Sequence, residues 1–313
     1  MTTTDRRTAI ATHGAAAPFP TGAAAPTPPV AGHGAPAGCE VGTNMTPGAA
    51  RIGAAFARAA AEGRAALIPY VVAGYPDYDM SLAAAVAAAD AGADLLEVGL
   101  PYSDPMADGA TLQRATHSAL VAGATLERSV DLIRAVSAAR PGIPLVPMCY
   151  ANQIVGGGDG RDVAARLVEA GASGVIVADL TPDEGAAFES VARELGLAVV
   201  YLIAPTTTPS RRIEVAGRSG GFVYCVSLVG VTGARSALPS SVRGLVAATR
   251  ADSPVPVAVG FGVSTPAHVG MLVKAGADGV IVASALVDAL GPDGRDVAAF
   301  GVLVGKLRAA TFR

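Results

Sequence analysis

Eight short, almost continuously apolar segments restrict the fold of this chain more than any other feature. They are rich in β-branched residues, and helical stretches separate them. They are Ala66–Ala73, Asp94–Leu100, Pro144–Tyr150, Gly174–Leu180, Ala198–Ala204, Gly221–Leu228, Val255–Gly260 and Gly279–Ala283. Strands that are apolar on both faces are typical of a parallel sheet covered by helices. The sequence therefore predicts an α/β protein built on parallel strands.

The stretches between the predicted strands carry Ala, Leu, Arg and Glu at helical spacing, as in Ser81–Ala91 and Thr125–Ala139. Three of these stretches end in Ala-Gly-Ala, with Gly92, Gly171 and Gly276 at the centre. Glycine there suits the left-handed residue that ends a helix. Eight similar units without a dinucleotide-binding fingerprint favour a (β/α)8 TIM barrel over the alternative, a doubly wound open sheet.

The N-terminal part of the chain has a different composition. Residues 1–47 consist mainly of Ala, Pro, Gly and Thr and contain few large apolar side chains. Such a segment cannot bury enough apolar surface to offset the entropy lost on ordering. We therefore predict a disordered extension at 1–47, followed by one barrel domain at 48–313.

Charge and composition argue against several classes of protein. The formal net charge is -3, and no basic stripe or polybasic cluster predicts binding to nucleic acid or to an anionic membrane. The apolar run Leu82–Ala93 is rich in Ala and contains Asp90, which predicts a buried helix instead of a membrane span. The three cysteines are widely spaced, so neither disulfides nor a cysteine metal site is expected. We expect a soluble cytoplasmic protein without a metal.

Glu97 is the most unusual residue of the predicted strands, because it interrupts an otherwise apolar run. Alternation places its side chain on the face opposite Leu96 and Val98, towards the mouth of the barrel. A buried carboxylate is costly unless it is paired. Glu97 is therefore either half of a structural ion pair or an acid/base whose pKa is raised by desolvation. Asp108 follows in a loop at the carboxyl end of the same strand, where barrels carry their catalytic groups.

Two loops that follow the last two predicted strands suggest a phosphate site. The sequence 260–262 (Gly-Phe-Gly) follows the seventh predicted strand, and 283–284 (Ala-Ser) ends the eighth strand before a helical run. Barrels often bind phosphate between these two loops. A short Gly-x-Gly also serves as a simple tight turn, but its position favours phosphate binding.

The segment LEVGLPYSDPMADG at 96–109 resembles the signature of tryptophan synthase α subunits. Matching segments continue along most of the chain from about residue 50 onward. They include 69–70, 73–77, 150–152, 178–180, 230–234 and 260–262. The resemblance implies a TIM-barrel lyase that cleaves indole-3-glycerol phosphate to indole and glyceraldehyde 3-phosphate in tryptophan biosynthesis.

The resemblance also implies roles for individual residues. Glu97 matches the catalytic acid/base, and Asp108 matches the carboxylate that accepts the indole N–H. The remaining positions match substrate-binding residues of the pocket, the lid and the phosphate loops: Tyr70, Tyr224, Thr232, Gly233, Phe261, Gly262, Ala283 and Ser284. Three residues depart from the common pattern: Val72 where Thr is frequent, Ala110 where many relatives carry Pro, and Ala283 in place of a common Gly.

The same resemblance implies a partner and no cofactor in this chain. The expected partner is the tryptophan synthase β subunit, a pyridoxal-phosphate enzyme, in an αββα complex. Asp104 and Pro105 are the expected contacts with that β subunit. Lys274 lies in a predicted helix, so no strand-end lysine predicts a Schiff-base aldolase, and no histidine cluster predicts a zinc aldolase. Two alternatives stay open. One is a stand-alone lyase that releases free indole for secondary metabolism; the other is a non-catalytic, partner-binding relative, which is disfavoured because both carboxyls are retained.

Overall fold

The structure is a computed structural model, and it describes residues 45–226, 240–260 and 262–313. Predicted site residues Thr232, Gly233 and Phe261 lie outside the described residues, as does most of the predicted extension. The prediction that residues 1–44 are disordered therefore stays a prediction.

Parallel strands alternate with helices along the described chain. The strands are β1 (Ala66–Val72), β2 (Leu96–Gly99), β3 (Leu145–Cys149), β4 (Gly174–Val177), β5 (Ala198–Val200), β6 (Leu202–Ile203), β7 (Val223–Val226), β8 (Val257–Gly260) and β9 (Gly279–Val282). The helices are α1 (Pro47–Ala61), α2 (Tyr78–Asp90), α3 (Ala110–Val121), α4 (Leu126–Ala139), α5 (Ala151–Val155), α6 (Arg161–Glu169), α7 (Pro182–Glu194), α8 (Pro209–Arg218), α9 (Ser240–Asp252), α10 (Pro266–Lys274), α11 (Ser284–Ala289) and α12 (Val297–Ala309).

The sheet closes into the predicted TIM barrel. Its strand order is β5-β4-β3-β2-β1-β9-β8-β7-β6, and the two outermost strands are consecutive halves of the fifth predicted strand. The break falls at Tyr201, whose amide N–H donates to the Ser219 hydroxyl (3.2 Å) while its carbonyl accepts from Tyr224 (3.0 Å). The first half therefore pairs with β4 and the second with β7, which joins the ends of the sheet.

Alternation along the strands separates two layers of core. Outward residues such as Leu96 and Val98 pack with the surrounding helices, whereas inward residues such as Ile68 fill the barrel. Helix α1 joins the inner layer through Ile52 and Phe56, which lie beside glycines at the amino ends of β4 and β9. Helix α1 therefore covers the barrel at the amino ends of the strands. The polar interior positions lie at the opposite end, towards the carboxyl ends of the strands.

The barrel domain begins slightly earlier than predicted. The Thr46 hydroxyl accepts from the Ala49 N–H (3.0 Å) and caps α1, and Pro47 is the first residue of that helix. A hydroxyl cap followed by proline satisfies the geometry of a helix start. Thr46 and Pro47, which we assigned to the extension, therefore belong to the barrel.

The helix ends agree with the sequence. Gly92, Gly171 and Gly276 have φ angles of 98°, 99° and 96°, the left-handed conformation expected after a helix. Within the described residues, no helix is long and apolar enough to cross a membrane.

Candidate active site

Glu97 points into the barrel from β2. Its neighbours Leu96 and Val98 belong to the outer layer, while Leu95 belongs to the inner one, so the predicted alternation is confirmed. The side chain is 1% exposed, and its Oε2 atom has no hydrogen-bond partner. None of the ion pairs found in the described part of the chain involves Glu97. The structure therefore favours the acid/base interpretation over the structural ion pair.

Glu97 and Asp108, named here the carboxyl pair, have different pKa values. Burial, together with the nearby charge of Asp108, raises the pKa of Glu97 from 4.5 to about 8. Burial also raises the pKa of Asp108, from 3.8 to about 6, although a hydrogen bond from Tyr150 opposes the increase. Near pH 7, Glu97 therefore holds a proton and Asp108 is ionised. Two carboxyls with separated pKa values can act as an acid and a fixed negative charge.

The loop 101–109 carries Asp108 from the end of β2 to the start of α3. Two internal bonds turn this loop: Met106 N–H donates to the Asp104 carbonyl (2.8 Å) and Asp108 N–H to the Pro105 carbonyl (3.1 Å). Gln113 on α3 donates to the Asp108 carbonyl (2.9 Å). The ordered loop expected from its Pro and Gly content is confirmed, with Asp104 exposed at its surface.

Tyr150 contacts this loop from the end of β3, and sequence reasoning assigned it no role. Its hydroxyl accepts from the Ala107 N–H (3.1 Å), and its ring stacks on Tyr102 with centroids 5.1 Å apart. Gln153 accepts from the Tyr150 N–H (3.0 Å) and donates to the Pro101 carbonyl (3.0 Å). The sequence signals were the position of Tyr150 at a strand end and its place in the matching segment 150–152.

Two buried tyrosines share the barrel interior with the carboxyl pair. A Cβ atom on Gly99 would lie 1.8 Å from the Tyr70 hydroxyl oxygen, and one on Gly260 would lie 2.4 Å from that of Tyr224. Each ring therefore occupies space that only glycine leaves open. Burial and the charges of the carboxyl pair raise the pKa of Tyr70 and of Tyr224 far above its ordinary value. Both phenols are neutral hydrogen-bonding groups at the predicted site.

The predicted phosphate residues follow neighbouring strands. Gly262 comes shortly after β8 with a φ angle of 75°, and Ser284 is the exposed first residue of α11, separated from the end of β9 by Ala283 alone. Because β8 pairs with β9, both loops lie at the same edge of the barrel. Ala283 has a φ angle of -118°, which alanine adopts without the strain of the left-handed region.

The described ranges also show where the side chains that other chemistries would use lie. No group of three or more His, Cys, Asp or Glu side chains there is arranged to hold a metal ion. Lys274 is the exposed last residue of α10, away from the strand ends. Cys149 and Cys225 are buried free thiols, and burial raises the pKa of each.

The family model and the relatives that match this chain carry the same description. The family model described as tryptophan synthase alpha chain matches residues 56–307. The tryptophan synthase alpha chain of Roseiflexus castenholzii is 43% identical over 240 residues, covering 77% of this chain and 91% of that one. That of Geobacter sulfurreducens is 45% identical and covers 76% and 89%.

Solved structures agree with these relatives. A tryptophan synthase structure from Mycobacterium tuberculosis matches with a TM-score of 0.78 and 40% identity, over 84% of this chain and 98% of that one. Tryptophan synthase subunit alpha from Legionella pneumophila matches with a TM-score of 0.76 and 31% identity, over 85% and 98%.

Proposed function

This chain belongs to the tryptophan synthase α chain family, and we propose which step of the reaction each member of its carboxyl pair performs. The enzyme is a carbon–carbon lyase of tryptophan biosynthesis that cleaves indole-3-glycerol phosphate to indole and glyceraldehyde 3-phosphate. The cleavage needs one proton delivered to C3 of the indole ring and another removed from the hydroxyl on the adjacent side-chain carbon. The observation that carries the proposal is the buried, unpaired Glu97, which is protonated near pH 7.

Glu97 supplies both proton transfers. Its carboxyl first donates a proton to C3, which places positive charge on the ring nitrogen. The resulting carboxylate then accepts the proton of the side-chain hydroxyl, so that the C–O bond becomes a carbonyl and the C–C bond breaks. The electrons of that bond return to the ring and neutralise the nitrogen. An acid/base whose pKa lies near the working pH suits this double role.

Asp108 stabilises the charge that develops between these two transfers. It is ionised near pH 7 because its pKa is about 6. Accepting the indole N–H, it would place a fixed negative charge beside the ring nitrogen as C3 is protonated. In a site shielded from water such a charge acts strongly on the transition state.

The remaining predicted residues form the pocket, the lid and the phosphate site. Tyr70 and Tyr224 wall the indole pocket from inside the barrel, and Phe261 would complete the wall. The lid of this site would include Thr232, whose hydroxyl would reach Asp108 when the lid closes. Closure of such a lid excludes water from a charged intermediate.

Phosphate binding is proposed for the loops after β8 and β9. Gly262, Ala283 and Ser284 would contribute to it together with Gly233. Backbone N–H groups of these two loops would donate to the phosphate oxygens. The exposure of Gly262 and Ser284 leaves these groups accessible.

The chain would act with a β subunit in an αββα complex in the cytoplasm and would use no cofactor of its own. Pyridoxal phosphate is expected in the β subunit alone. The exposed Asp104 and the half-buried Pro105 lie on the loop that presents Asp108 at the barrel mouth, which supports their proposed role as partner contacts.

The test is indole release from indole-3-glycerol phosphate by the purified chain, with and without a β subunit. Glu97→Gln removes the acid/base and should lower kcat by roughly 100-fold or more. Weak activity that rises with the β subunit supports the synthase assignment, whereas high activity without it would indicate a stand-alone lyase. An undiminished Glu97→Gln variant would refute the proposed role of Glu97.

A further inference from the structure

The loop that presents Asp108 is held at both of its ends by one short segment. Near the amino end, Gln153 donates from Nε2 to the Pro101 carbonyl (3.0 Å). Near the carboxyl end, the Tyr150 hydroxyl accepts from the Ala107 N–H (3.1 Å), next to Asp108 in the chain. We call this pair of side chains the Tyr150–Gln153 clamp.

The clamp is itself fixed in place. The Gln153 Oε1 atom accepts from the Tyr150 N–H (3.0 Å), which ties the two clamp residues together. The next amide, that of Ala151, donates to Oδ1 of Asp179 (2.6 Å), which is the second residue after β4. Tyr150 is 4% exposed, and its ring stacks on Tyr102 at an interplanar angle of 25°. The end of β3 and the end of β4 therefore both determine where the Tyr150 hydroxyl lies.

The hydrogen bond from the Ala107 N–H determines where the Tyr150 hydroxyl can donate its own hydrogen. A tyrosine hydroxyl has one hydrogen to donate. The Ala107 N–H is a donor, so the hydroxyl can only accept from it, and the hydrogen is available to Asp108. An ionised carboxylate can only accept, so this bond favours the charged form of Asp108.

We propose that Tyr150, held by Gln153, is a positioning residue that fixes the Asp108 loop over the barrel mouth and keeps the Asp108 carboxylate ionised for the reaction. The inference rests on the role proposed above for Asp108. It adds a residue that acts through Asp108 and needs no contact with the substrate.

Asp108 has other titratable neighbours, and the test must separate their effects on the pH profile from the effect of Tyr150. Glu97 faces it from β2, Tyr70 from β1 and Tyr224 from β7. Both phenols titrate far above the working range, so Glu97 is the one of these three neighbours that changes charge near neutral pH. Its effect appears on the alkaline side of the pH profile, whereas ionisation of Asp108 sets the acidic side.

Three substitutions test the inference in the full-length chain. Tyr150→Phe removes the hydroxyl and keeps the ring that stacks on Tyr102. Gln153→Glu keeps an acceptor for the Tyr150 N–H and removes the donor to Pro101. Tyr78→Phe, a matched loss of a tyrosine hydroxyl on the outer helix α2, is the control.

The first readout is the pH profile of kcat/KM for indole-3-glycerol phosphate. Tyr150→Phe should move the acidic limb to higher pH by about 0.5–1 unit, because one hydrogen bond to the charged form is lost. It should also lower kcat/KM at pH 7 by roughly tenfold, the loss typical of one misplaced polar contact. The second readout is amide hydrogen exchange of a peptide covering 101–109, which should quicken in Tyr150→Phe and in Gln153→Glu but not in Tyr78→Phe.

The outcomes separate this inference from the proposed function. An unchanged acidic limb in Tyr150→Phe overturns the inference, even if exchange quickens, because the residue would then only support the loop. If Tyr150→Phe does not fold, unchanged exchange and unchanged kcat/KM in Gln153→Glu overturn it instead. Asp108→Asn is measured in parallel: full activity in that variant would refute the role of Asp108 itself.

Discussion

Replacing Glu97 by Gln is expected to stabilise this enzyme at neutral and alkaline pH while it lowers kcat by roughly 100-fold or more. Glu97 is 1% exposed and its Oε2 atom has no hydrogen-bond partner, so the carboxylate form is strongly disfavoured in the folded protein. The pKa of about 8, above the ordinary 4.5, expresses that cost. Glutamine has nearly the same shape and cannot ionise, so it removes the pH-dependent part of the cost.

The size of the effect follows from the two pKa values. Between 4.5 and about 8 the folded protein holds a proton on Glu97 that the unfolded chain has released. The free energy of unfolding therefore falls as pH rises through this window, by about 1.4 kcal/mol per pH unit. Between pH 5.5 and 7.5, the difference in unfolding free energy between Glu97→Gln and the wild type should grow by roughly 3 kcal/mol. Asp108 titrates in both proteins, so its contribution largely cancels in this difference.

Urea unfolding at several pH values measures the effect. The chain contains no Trp, so far-UV circular dichroism is a better signal than fluorescence. Glu169→Gln, an exposed carboxyl at the end of α6, is the matched control and should show no comparable dependence. A difference in the free energy of unfolding that is the same at every pH would reflect only the packing of the introduced amide. If the difference stayed flat from pH 5.5 to 7.5, the raised pKa of Glu97 would be refuted.

Three further results are expected. The pH profile of kcat/KM should be bell-shaped, rising through about 6 and falling through about 8, as one member of the carboxyl pair ionises and the other loses its proton. Gly99→Ala should lower kcat/KM and reduce stability by about 1–3 kcal/mol, because the new methyl group overlaps the Tyr70 ring; Tyr70→Phe in the same chain should restore part of both. Arg64→Met should reduce the free energy of unfolding by about 3–5 kcal/mol, because it leaves the buried Asp94 without its bidentate partner.

Each of these expectations has its own contrary result. A kcat/KM that stays constant from pH 5 to 9 would contradict the assignment of the carboxyl pair. Full activity and unchanged melting in Gly99→Ala would show that the Tyr70 ring moves aside without cost. Adding Asp94→Leu to Arg64→Met should recover most of the lost stability, and no recovery would mean that packing of the Arg64 side chain dominates over its charge.

The strand pattern made the fold predictable, because buried parallel strands are apolar on both faces. All eight predicted segments contain the observed strands, and the glycines after the helices have the expected left-handed conformation. The break at Tyr201 was not predictable from apolarity. It arises from a tertiary bond between its N–H and the Ser219 hydroxyl, two residues that lie far apart in the sequence.

The site was predictable where a residue breaks a rule of its element. Glu97 violates the apolar pattern of a strand, and this anomaly indicates a functional residue independently of any family resemblance. Tyr150 violates no rule, since a tyrosine at a strand end is ordinary. Its contact with Ala107 joins the loop after β2 to the end of β3, and these come together only through the pairing of β2 with β3 in the sheet.

The inward positions at β2 connect the energetics of the fold to the chemistry of the site. Leu95, Glu97 and Gly99 follow one another on the inner face at a spacing of two residues. Leu95 belongs to the apolar core that keeps water from the carboxyl, and Gly99 leaves the space that the Tyr70 hydroxyl occupies. The raised pKa of Glu97 therefore depends on all three positions, because polarity or bulk at either neighbour would change the solvation of the acid. A substitution at Leu95 or Gly99 that admits water should lower the pKa of Glu97, and with it the alkaline limb of the pH profile, even though neither residue can transfer a proton.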